Sequence, residues 1–306
     1  MKLDEKTKIK PFVKWAGGKR QLLPIISENL PFELKENKIK RYIEPFVGGG
    51  AVLFYLLQNY NFHDIIINDI NNDLINLYKI IKKEVEKLIN ELRKISGEYL
   101  SLDDDGRKHY YYMIREEFNE NSLDELRKSA YFIFLNRTCF NGLYRVNKKG
   151  KFNVPYGRYK NPLILDENNL LNVSNVLQKV KILNGDFEII EDYVDEHTFV
   201  YFDPPYRPLN TTSSFNSYQK GDFNDDEQRR LASFYHKLNQ KGAKLMLSNS
   251  DPKNVEENDN FFECLYKSSN IKGSEKIKIN RVKALRNINS KGSKRGKINE
   301  LLIVNY

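Results

Sequence analysis

Thr198-Phe199-Val200-Tyr201-Phe202, followed directly by Asp203-Pro204-Pro205-Tyr206, is the stretch that predicts the fold of this chain. The apolar run is typical of a short buried strand, and two prolines end it because proline cannot donate to a sheet ladder. The carboxylate and the aromatic ring of the tetrad are therefore expected at the carboxyl edge of a sheet, where open α/β folds bind ligands.

The tetrad also contains the candidate catalytic residues Asp203, Pro204 and Tyr206. Proline fixes φ, so Pro204 holds its own carbonyl in place with little loss of entropy. Asp203 and that carbonyl can accept the two hydrogens of an exocyclic amine, while the Tyr206 ring stacks on the planar base that carries it. The alternative is a strand-ending turn with a surface aspartate and a packing tyrosine.

Length and charge set broad limits on the class of protein. A chain of 306 residues can bury the core of one large domain or two medium ones. Its net charge of +9 is compatible with a polyanionic partner such as nucleic acid. Lysine, asparagine and isoleucine are abundant throughout, so a solvated basic surface would give the same balance.

Cysteine and histidine are too sparse for a disulfide framework or a metal site. Cys139 and Cys264 lie far apart, and the histidines show no ligand spacing: His63, His109, His197 and His236. The first ten residues are charged, and no stretch is apolar for long enough to span a bilayer. We therefore expect a soluble protein of the cytoplasm that binds no metal and no membrane.

A second motif, Glu44-Pro45-Phe46-Val47-Gly48-Gly49-Gly50, lies between a short strand at Tyr42-Ile43 and a helical run. Three glycines allow a tight turn and close approach of a ligand to the backbone. Asp69 ends the next strand about 20 residues later, where nucleotide-binding folds place the carboxylate that binds ribose hydroxyls. The glycines do not form a phosphate-binding pattern, which favours a nucleoside such as S-adenosylmethionine. A glycine-rich connection with a helix-capping Asp69 is the alternative.

Helical patterns interrupt the alternation of strands and helices and predict an inserted module. Apolar positions spaced by three and four predict a long amphipathic helix over 73–95, followed by a polar, acidic loop over 96–107. Ser122 and Glu125 form a capping-box pattern that opens a further helix.

A basic, aromatic segment follows these helices. Asn147 to Gly150 predicts the turn of a hairpin, and no acidic residue lies between Asn136 and Leu165 although the chain contains 41. Such a hairpin can enter a DNA groove, with lysines on phosphates and an arginine on a guanine edge. An ordinary hairpin with a basic exposed face is the alternative.

The remaining pattern predicts about seven strands in all, together with a helix around Leu231 to Leu238 that ends near Gly242. The predicted strands are Tyr42-Ile43, Ile65–Ile67, Val180–Leu183, Thr198–Phe202, Leu245–Ser248, Phe261–Tyr266 and Leu301–Val304. The segment from Asn289 to Lys297 is expected to be a basic loop that either touches phosphate or is a solvated turn.

Taken together, these motifs and their order resemble the Dam/DpnII-type (alpha group, D12 class) site-specific DNA adenine N6-methyltransferases. The similar segments are Phe12 to Lys19, Glu44 to Gly50, Asn68-Asp69, the hairpin, Gly185-Asp186, the tetrad and the end from Arg281. The resemblance implies an α/β, Rossmann-like sheet formed by residues 1–72 and 166–306. It also implies that residues 73–165 form an inserted helical and β-hairpin target-recognition domain.

The resemblance assigns site residues by position. The implied cofactor-binding residues are Trp15, Lys19, Phe46, Gly48, Gly50, Asp69, Asp186 and Asp203. The implied DNA-binding residues are Lys14, Phe140, Asn141, Leu143, Arg145 and Pro155. Phe140 stands where some members of the family have tyrosine, so stacking is retained but a phenol hydrogen bond is lost. No motif marks residues 96–109.

The expected reaction is methyl transfer from S-adenosylmethionine to N6 of adenine in duplex DNA, with S-adenosylhomocysteine as product. The resemblance implies a GATC site, base flipping and in-line displacement, in a bacterial or phage-encoded enzyme. A cognate restriction endonuclease is a candidate functional partner. A cytosine N4 or RNA adenine N6 methyltransferase would share the sheet and the tetrad. A non-catalytic DNA-binding module would need only the hairpin.

Overall fold

The computed structural model describes residues 9–120, 122–207, 223–267, 273–285 and 297–306. Seven strands form one sheet with helices packed on both faces. The strands are β1 (Arg41–Glu44), β2 (Asp64–Ile67), β3 (Val180–Ile182), β4 (Thr198–Phe202), β5 (Lys244–Ser250), β6 (Lys278–Leu285) and β7 (Lys297–Val304). The α-helices are α1 (Leu23–Glu28), α2 (Phe32–Lys35), α3 (Ala51–Asn59), α4 (Asn72–Ser101), α5 (Asp104–Phe118), α6 (Glu125–Thr138), α7 (Glu167–Leu177), α8 (Asp225–Gln240) and α9 (Phe261–Tyr266).

The strand order is β3-β2-β1-β4-β5-β7-β6. The first five strands pair in parallel, and β7 runs antiparallel between β5 and β6. The order reverses between β1 and β4, where Ile43 lies opposite Val200. The glycine turn after β1 and the tetrad after β4 therefore leave the sheet side by side, at the switch point where such folds bind ligands. The predicted α/β, Rossmann-like sheet is confirmed.

Side chains of the central strands alternate between two buried faces. Tyr42 and Tyr201 join the core that contains α3, α4, α6 and α7. Ile43, Val200 and Phe202 join the core beneath α8 and α9. Because both faces are buried, the sequences of these strands are continuously apolar and do not alternate between apolar and polar residues.

The segment between β2 and β3 contains four helices and the hairpin, and the loop predicted over 96–107 is wrong. Helix α4 continues to Ser101, with non-helical backbone at Glu84. Helix α5 begins directly afterwards, and its N-cap Asp103 accepts a hydrogen bond of 2.8 Å from the N–H of Gly106. The acidic cluster therefore caps a helix and favours its N-terminal dipole, which is why it does not form a loop.

The capping residue of α6 also differs from the prediction. Asp124, not Ser122, accepts a hydrogen bond of 2.9 Å from the N–H of Arg127, and the helix begins at Glu125. An aspartate caps as well as a serine, and Asp124 is the residue immediately before the helix. The capping-box pattern therefore predicted a helix correctly and its first turn wrongly.

One predicted strand is wrong, and one strand had not been predicted. Phe261–Tyr266 is a helix whose Phe262 and Tyr266, four residues apart, are both fully buried. A short apolar run is ambiguous between strand and helix, and the burial at i and i+4 decides for helix here. The sixth strand is Lys278–Leu285, whose polar residues suit its place at the edge of the sheet. The basic segment 289–296 lies outside the described residues.

Candidate active site

The tetrad is held in place by a buried pair of amide side chains. Gln228 of α8 donates a hydrogen bond of 3.0 Å to the carbonyl of Pro205, and Asn249 of β5 donates one of 3.1 Å to Gln228 Oε1. Asn249 Oδ1 also accepts the N–H of Arg207 at 3.2 Å. Both amides are fully buried, so the turn after β4 is anchored on both sides of Tyr206. Sequence reasoning did not find this pair, because Asn249 lies in the polar run Ser248-Asn249-Ser250 at the end of β5 and Gln228 lies on a helix.

Arg207 fixes the end of the same turn. Its guanidinium makes a bidentate pair with Asp225 at 2.8 and 3.0 Å and a further bond of 2.7 Å to Asp259. The guanidinium also lies 4.0 Å from the centroid of the Phe261 ring. Bidentate pairs have fixed geometry, so Arg207 joins the turn to the start of α8 and to the loop before α9.

Lys19 brings the amino-terminal motif to the tetrad. Its ammonium lies 2.6 Å from Oδ1 of Asp203 and 4.6 Å from the centroid of the Tyr206 ring. The Lys19 side chain is only 4% exposed, and it also donates a hydrogen bond of 2.7 Å to the carbonyl of Gly17. A buried lysine needs a partner of opposite charge, which Asp203 supplies. Three predicted site residues therefore share one pocket.

The charges in this pocket are coupled. Burial raises the pKa of Asp203 above its ordinary value, Lys19 opposes this effect, and the charge of Glu300 adds to it. Burial also raises the pKa of Tyr206 well above its ordinary value, with further contributions from Asp203 and Glu300. The phenol therefore stays protonated, and it donates a hydrogen bond of 2.7 Å to Glu300 Oε2.

A layer of fully buried polar groups lies among the strands that lead to the pocket. The hydroxyl of Tyr42 donates to Glu44 at 2.7 Å, and the hydroxyls of Tyr201 and Ser248 lie 2.7 Å apart. Burial, together with the charge of Asp203, raises the pKa of Glu44 well above its ordinary value. Asp203 therefore ionises more readily than Glu44, and Asp203 is the carboxylate that pairs with Lys19.

The glycine turn packs against Trp15. Gly48 has a φ of +46°, and a Cβ at this position would lie 2.7 Å from Cδ1 of the Trp15 ring. Gly50 has a φ of +75°, and a Cβ there would lie 2.6 Å from the Tyr78 hydroxyl. Both positions require glycine for two independent reasons, backbone conformation and space.

Asp69 closes the same turn from the neighbouring strand. Its Oδ2 accepts the N–H of Gly48 at 3.0 Å, and its Oδ1 accepts the N–H of Asn71 at 2.9 Å. Burial raises the pKa of Asp69 from 3.8 to about 6, although these backbone N–H groups oppose the shift. The side chain that caps α4 is that of Asn71, which accepts from Leu74, so Asp69 is not the helix cap.

Asn68 connects the loops around the turn, and sequence reasoning gave it no role of its own. Its amide group donates to the carbonyls of Pro45 and Gly185 at 3.1 and 3.0 Å. Within the described part of the chain its Oδ1 is buried without a hydrogen-bond partner. A buried acceptor without a donor is costly, which marks the place where a ligand donor would be favourable.

Phe46, within the turn, packs against Phe187, and Asp186 directly precedes Phe187 in the loop after β3. Asp186 makes a bidentate pair with Arg230 at 2.9 and 2.7 Å, and this pair holds the pKa of its carboxyl below the ordinary value. Phe46 packs against the rings of Phe187 and Phe223, with centroids 5.5 and 5.9 Å away. Asp186 is therefore already engaged by a protein cation.

The hairpin has the predicted turn. The N–H of Asn147 donates a hydrogen bond of 2.9 Å to the carbonyl of Lys151, and the N–H of Gly150 donates one of 2.8 Å to the carbonyl of Asn147. At the base of the hairpin, the N–H of Phe140 donates to the carbonyl of Pro155 at 2.8 Å. Isolated bridges, rather than continuous strands, join the two arms.

The side chains predicted to read DNA differ in their exposure and in their hydrogen bonds within the protein. Phe140 is 51% exposed, and Asn141 is exposed with a left-handed φ of +56°. Leu143 is partly buried. Arg145 is partly buried as well, and its Nε donates to Asn153 Oδ1 across the hairpin at 2.7 Å.

Lys14 joins the hairpin to the catalytic side. The buried amide of Asn136 accepts the N–H of Lys14 at 2.7 Å and donates to its carbonyl at 2.8 Å. The same amide donates to the carbonyl of Gly142 at 3.0 Å, and a Cβ on Gly142 would overlap the Lys14 side chain. One short segment therefore contacts the hairpin through Lys14 and the tetrad through Lys19.

Comparison with known proteins identifies the family. A family model described as "D12 class N6 adenine-specific DNA methyltransferase" matches residues 15–288. The chain belongs to this family. It is an adenine-specific DNA methyltransferase, which confirms the predicted activity over the cytosine N4, RNA and non-catalytic alternatives.

Relatives match the methyltransferase over nearly its whole length. The Type II methyltransferase M.MjaIII of Methanocaldococcus jannaschii is 62% identical over 301 residues, covering 97% of this chain and 99% of the relative. The DNA adenine methylase of Haemophilus influenzae is 36% identical, covering 99% and 96%. The DNA adenine methylase of Escherichia coli is 34% identical, covering 96% and 95%.

The described part of the methyltransferase contains neither a candidate metal cluster nor a candidate membrane-spanning helix. The described residues contain no group of three or more His, Cys, Asp or Glu side chains that could hold a metal ion. Among the described helices, none combines the length and the apolar character needed to cross a bilayer. The family implies S-adenosylmethionine as the methyl donor.

Proposed function

We propose that this enzyme transfers a methyl group from S-adenosylmethionine to N6 of an adenine that it flips out of a GATC site in duplex DNA. The observation that carries the proposal is the contact of Lys19 with both Asp203 and the Tyr206 ring, at the sheet edge where β4 ends next to β1. The tetrad therefore supplies a carboxylate and a flat ring at one place, and with the carbonyl of Pro204, which follows Asp203 directly, these groups are proposed to match a planar base with an amine.

The cofactor is proposed to lie on the glycine turn. The residues proposed to hold it are Trp15, Lys19, Phe46, Gly48, Gly50, Asp69, Asp186 and Asp203. Two observations support the fit: the buried Oδ1 of Asn68 lacks a donor among the described residues, and the Asp69 carboxylate faces the same turn. Carboxylate and amide oxygens are suitable acceptors for ribose hydroxyls and amines. Asp186 can take part only through lone pairs that Arg230 leaves free.

The obstacle to the reaction is the nucleophile. The cofactor supplies, when bound, a methyl group on a positively charged sulfur that is already a good leaving group. The lone pair of N6, in contrast, is delocalised into the adenine ring. Asp203 and the Pro204 carbonyl, by accepting the two N6 hydrogens, favour a pyramidal nitrogen whose lone pair points at the methyl carbon. Alignment of two reactants can lower a barrier by about 7 kcal/mol or more.

This arrangement determines which bond forms and which bond breaks in the methyl transfer. N6 forms a bond to the methyl carbon in line with the breaking carbon–sulfur bond, and the electron pair of that bond stays on sulfur. The transfer leaves N6 positively charged, and one proton is then lost from it to solvent, so Asp203 is proposed to act as a hydrogen-bond acceptor rather than as a general base.

Lys19 has a separate part in this proposal. Its ammonium contacts Oδ1 of Asp203, and no described group donates to Oδ2. One oxygen can therefore remain paired with the cation, which favours the ionised carboxylate, while the other accepts the amine. The same cation lies over the Tyr206 ring, where it polarises the surface proposed to stack on the base.

Recognition is proposed to lie in the hairpin and in Lys14. Phe140 and Asn141 are exposed and are proposed to insert beside the flipped base. Leu143, Arg145 and Pro155 are proposed to read the GATC sequence, with Arg145 on a guanine edge. Flipping costs a few kcal/mol, and stacking on Tyr206 returns part of it. Residues 73–165 are proposed as the recognition domain, and a cognate restriction endonuclease as a functional partner.

The test is label transfer from tritiated S-adenosylmethionine to matched duplexes. One duplex contains GATC, the second carries the same bases in scrambled order, and the third is an RNA duplex of the same sequence. We expect label only in the GATC duplex, recovered as N6-methyladenine after digestion to nucleosides. Equal labelling of the scrambled duplex would exclude GATC specificity, and label outside adenine would exclude the proposed mechanism.

A further inference from the structure

Glu300 is an acidic residue at the edge of the pocket to which no role has been assigned so far. It lies on β7, opposite Ser250 at the carboxyl end of β5. Phe202, which ends β4, lies opposite Leu247 of the same strand β5. The antiparallel β7 therefore enters the sheet at the edge where the parallel strands end, level with the tetrad.

The contact between Glu300 and the tetrad is specific. The Tyr206 hydroxyl donates a hydrogen bond of 2.7 Å to Oε2 of Glu300, across 94 residues of sequence. The phenol oxygen lies at the far end of the side chain, so a bond there restrains movement of the ring about the Cα–Cβ bond. The opposite charge of Lys19 lies 4.6 Å from the ring centroid. The ring thus contacts an anion at its hydroxyl and a cation over its face.

We propose that Glu300 is a positioning residue for methyl transfer: it holds the Tyr206 side chain in the position at which the flipped adenine stacks on its ring. This inference rests on the proposed function, because it assumes that Tyr206 supports the base. The chemistry explains why an acid is needed at this position. A carboxylate accepts a hydrogen bond from a phenol more strongly than a neutral oxygen does. It has no donor of its own, so the direction of the hydrogen bond cannot reverse.

Glu300 has an effect distinct from that of Asp203. Asp203 is proposed to touch the amine, so its loss removes a contact of the reacting group. Glu300 acts through Tyr206, so its loss leaves every contact of the amine in place but allows the Tyr206 side chain to move away from the base. The duplex should still bind through the hairpin, and the defect should fall on kcat rather than on duplex affinity.

The test is a double-mutant cycle of Glu300→Ala and Tyr206→Phe, with kcat/KM measured on the DNA that the wild type methylates. Each single variant should lose about ten- to a hundredfold, the effect of one hydrogen bond to a charged group. The double variant should be no worse than either single one, because both remove the same bond. Duplex affinity, measured by fluorescence anisotropy, should remain within about twofold of the wild type.

Two further variants separate positioning from general damage. Glu300→Gln keeps an acceptor oxygen of the same size, and its activity should fall between those of the wild type and Glu300→Ala. Glu256→Ala removes the same charge from an exposed site and should leave activity unchanged. If Glu300→Ala does not fold, the cycle is run with Glu300→Met, which keeps the length of the side chain and removes the carboxylate.

The outcomes are distinct. A wild type that methylates no DNA adenine would end the proposed function itself, and one that methylates a different site would correct only the sequence specificity. An active wild type with fully active Glu300 variants would overturn the inference alone. Multiplied losses in the double variant would do the same, because they would show that Glu300 acts independently of the Tyr206 hydroxyl.

Discussion

The edge of the sheet that carries Lys19, the tetrad and Glu300, here called the catalytic edge, and the hairpin are built in opposite ways. At the edge, the charged groups and the phenol of the tetrad are paired inside the protein: Lys19 pairs with Asp203, and Tyr206 pairs with Glu300. In the hairpin, isolated bridges join the arms, and the tip from Asn147 to Lys151 is exposed. One region is fixed before a ligand arrives, and the other presents side chains to solvent.

The difference follows from what each region has to do. Chemistry requires reacting groups held within a fraction of an ångström, which buried hydrogen bonds and sheet register provide. Groove recognition requires side chains that project from the surface and reach base edges. Substitutions at the edge should therefore change the rate, whereas substitutions in the hairpin should change the choice of sequence.

The largest effect is expected for Asp203→Ala. The variant loses the acceptor for the amine and leaves Lys19 as a buried cation without its carboxylate. We expect methyl transfer to fall by about a thousandfold or more, the scale for loss of a preorganised polar contact at a reacting group. Single-turnover label transfer measures the rate, and anisotropy should show that duplex binding survives.

Asp203→Asn is the matched variant for that experiment. It keeps the size and one acceptor oxygen but cannot balance the charge of Lys19, so it should recover only part of the rate. Near-normal turnover in either variant would refute the mechanism and would remove the contrast between the two regions.

The next effect concerns the cofactor and pH. Burial raises the pKa of Asp69 to about 6, and only the ionised carboxylate can accept from cofactor hydroxyls with both oxygens. Affinity for S-adenosylmethionine should therefore be full well above this pKa, should be halved near pH 6 and should be lower by about tenfold at pH 5. Calorimetry across this range measures it, and duplex affinity should not follow the same profile.

Asp69→Asn should weaken cofactor binding at pH 7.5 and should abolish the pH dependence near 6. The same shift has a consequence for stability in the absence of ligand. Because the folded pKa lies above the unfolded value of 3.8, this group stabilises the fold fully below that value and loses the contribution as pH rises through about 6. A cofactor affinity that is flat between pH 5 and 8 would count against the ribose assignment.

A smaller effect is expected for Arg145→Ala. The guanidinium is proposed to read a guanine edge, so its loss should relax discrimination at one guanine position by about 1–3 kcal/mol. A panel of duplexes with one substituted base pair each measures the discrimination as a ratio of kcat/KM values. Turnover on the intact site should change less than discrimination. Unchanged ratios across the panel would remove the hairpin from its reading role.

Local patterns were sufficient to predict the sheet and the positions of the motifs. The strand before Asp203, the glycine turn after β1 and the turn at Asn147 to Gly150 are all specified by residues next to one another in sequence. Such signals are reliable because proline and glycine restrict or permit backbone angles directly. Their spatial convergence followed from one rule, that parallel strands end at the same edge.

What sequence reasoning missed depends on long-range contacts or on ambiguous local patterns. Glu300, Gln228 and Asn249 support the tetrad from other elements, and nothing near them in sequence marks their partners. Strand β6 was missed because its polar residues hide the alternation, and α9 was taken for a strand because a short apolar run fits both. The acidic residues from Asp103 were read as a loop although they begin a helix.

The smallest effect tests whether the hairpin turn exists in the free protein. Gly150 has a φ of +75° and Gly97 lies within α4, and a Cβ on either glycine would meet nothing within 4 Å. The two substitutions by alanine therefore differ only in backbone conformation. Gly97→Ala should stabilise the protein by about 0.5–1 kcal/mol, whereas Gly150→Ala should destabilise it by about 1 kcal/mol.

Thermal and urea unfolding of both variants measure these shifts, with duplex affinity as the second readout. If the turn is formed without DNA, Gly150→Ala lowers both stability and duplex affinity. If the turn forms only on DNA, stability stays at the wild-type value and the whole penalty falls on binding. With that second result, DNA binding would include the free-energy cost of ordering the hairpin. The ion pair of Lys19 and Asp203 is already formed in the free protein, so the two regions would differ more clearly.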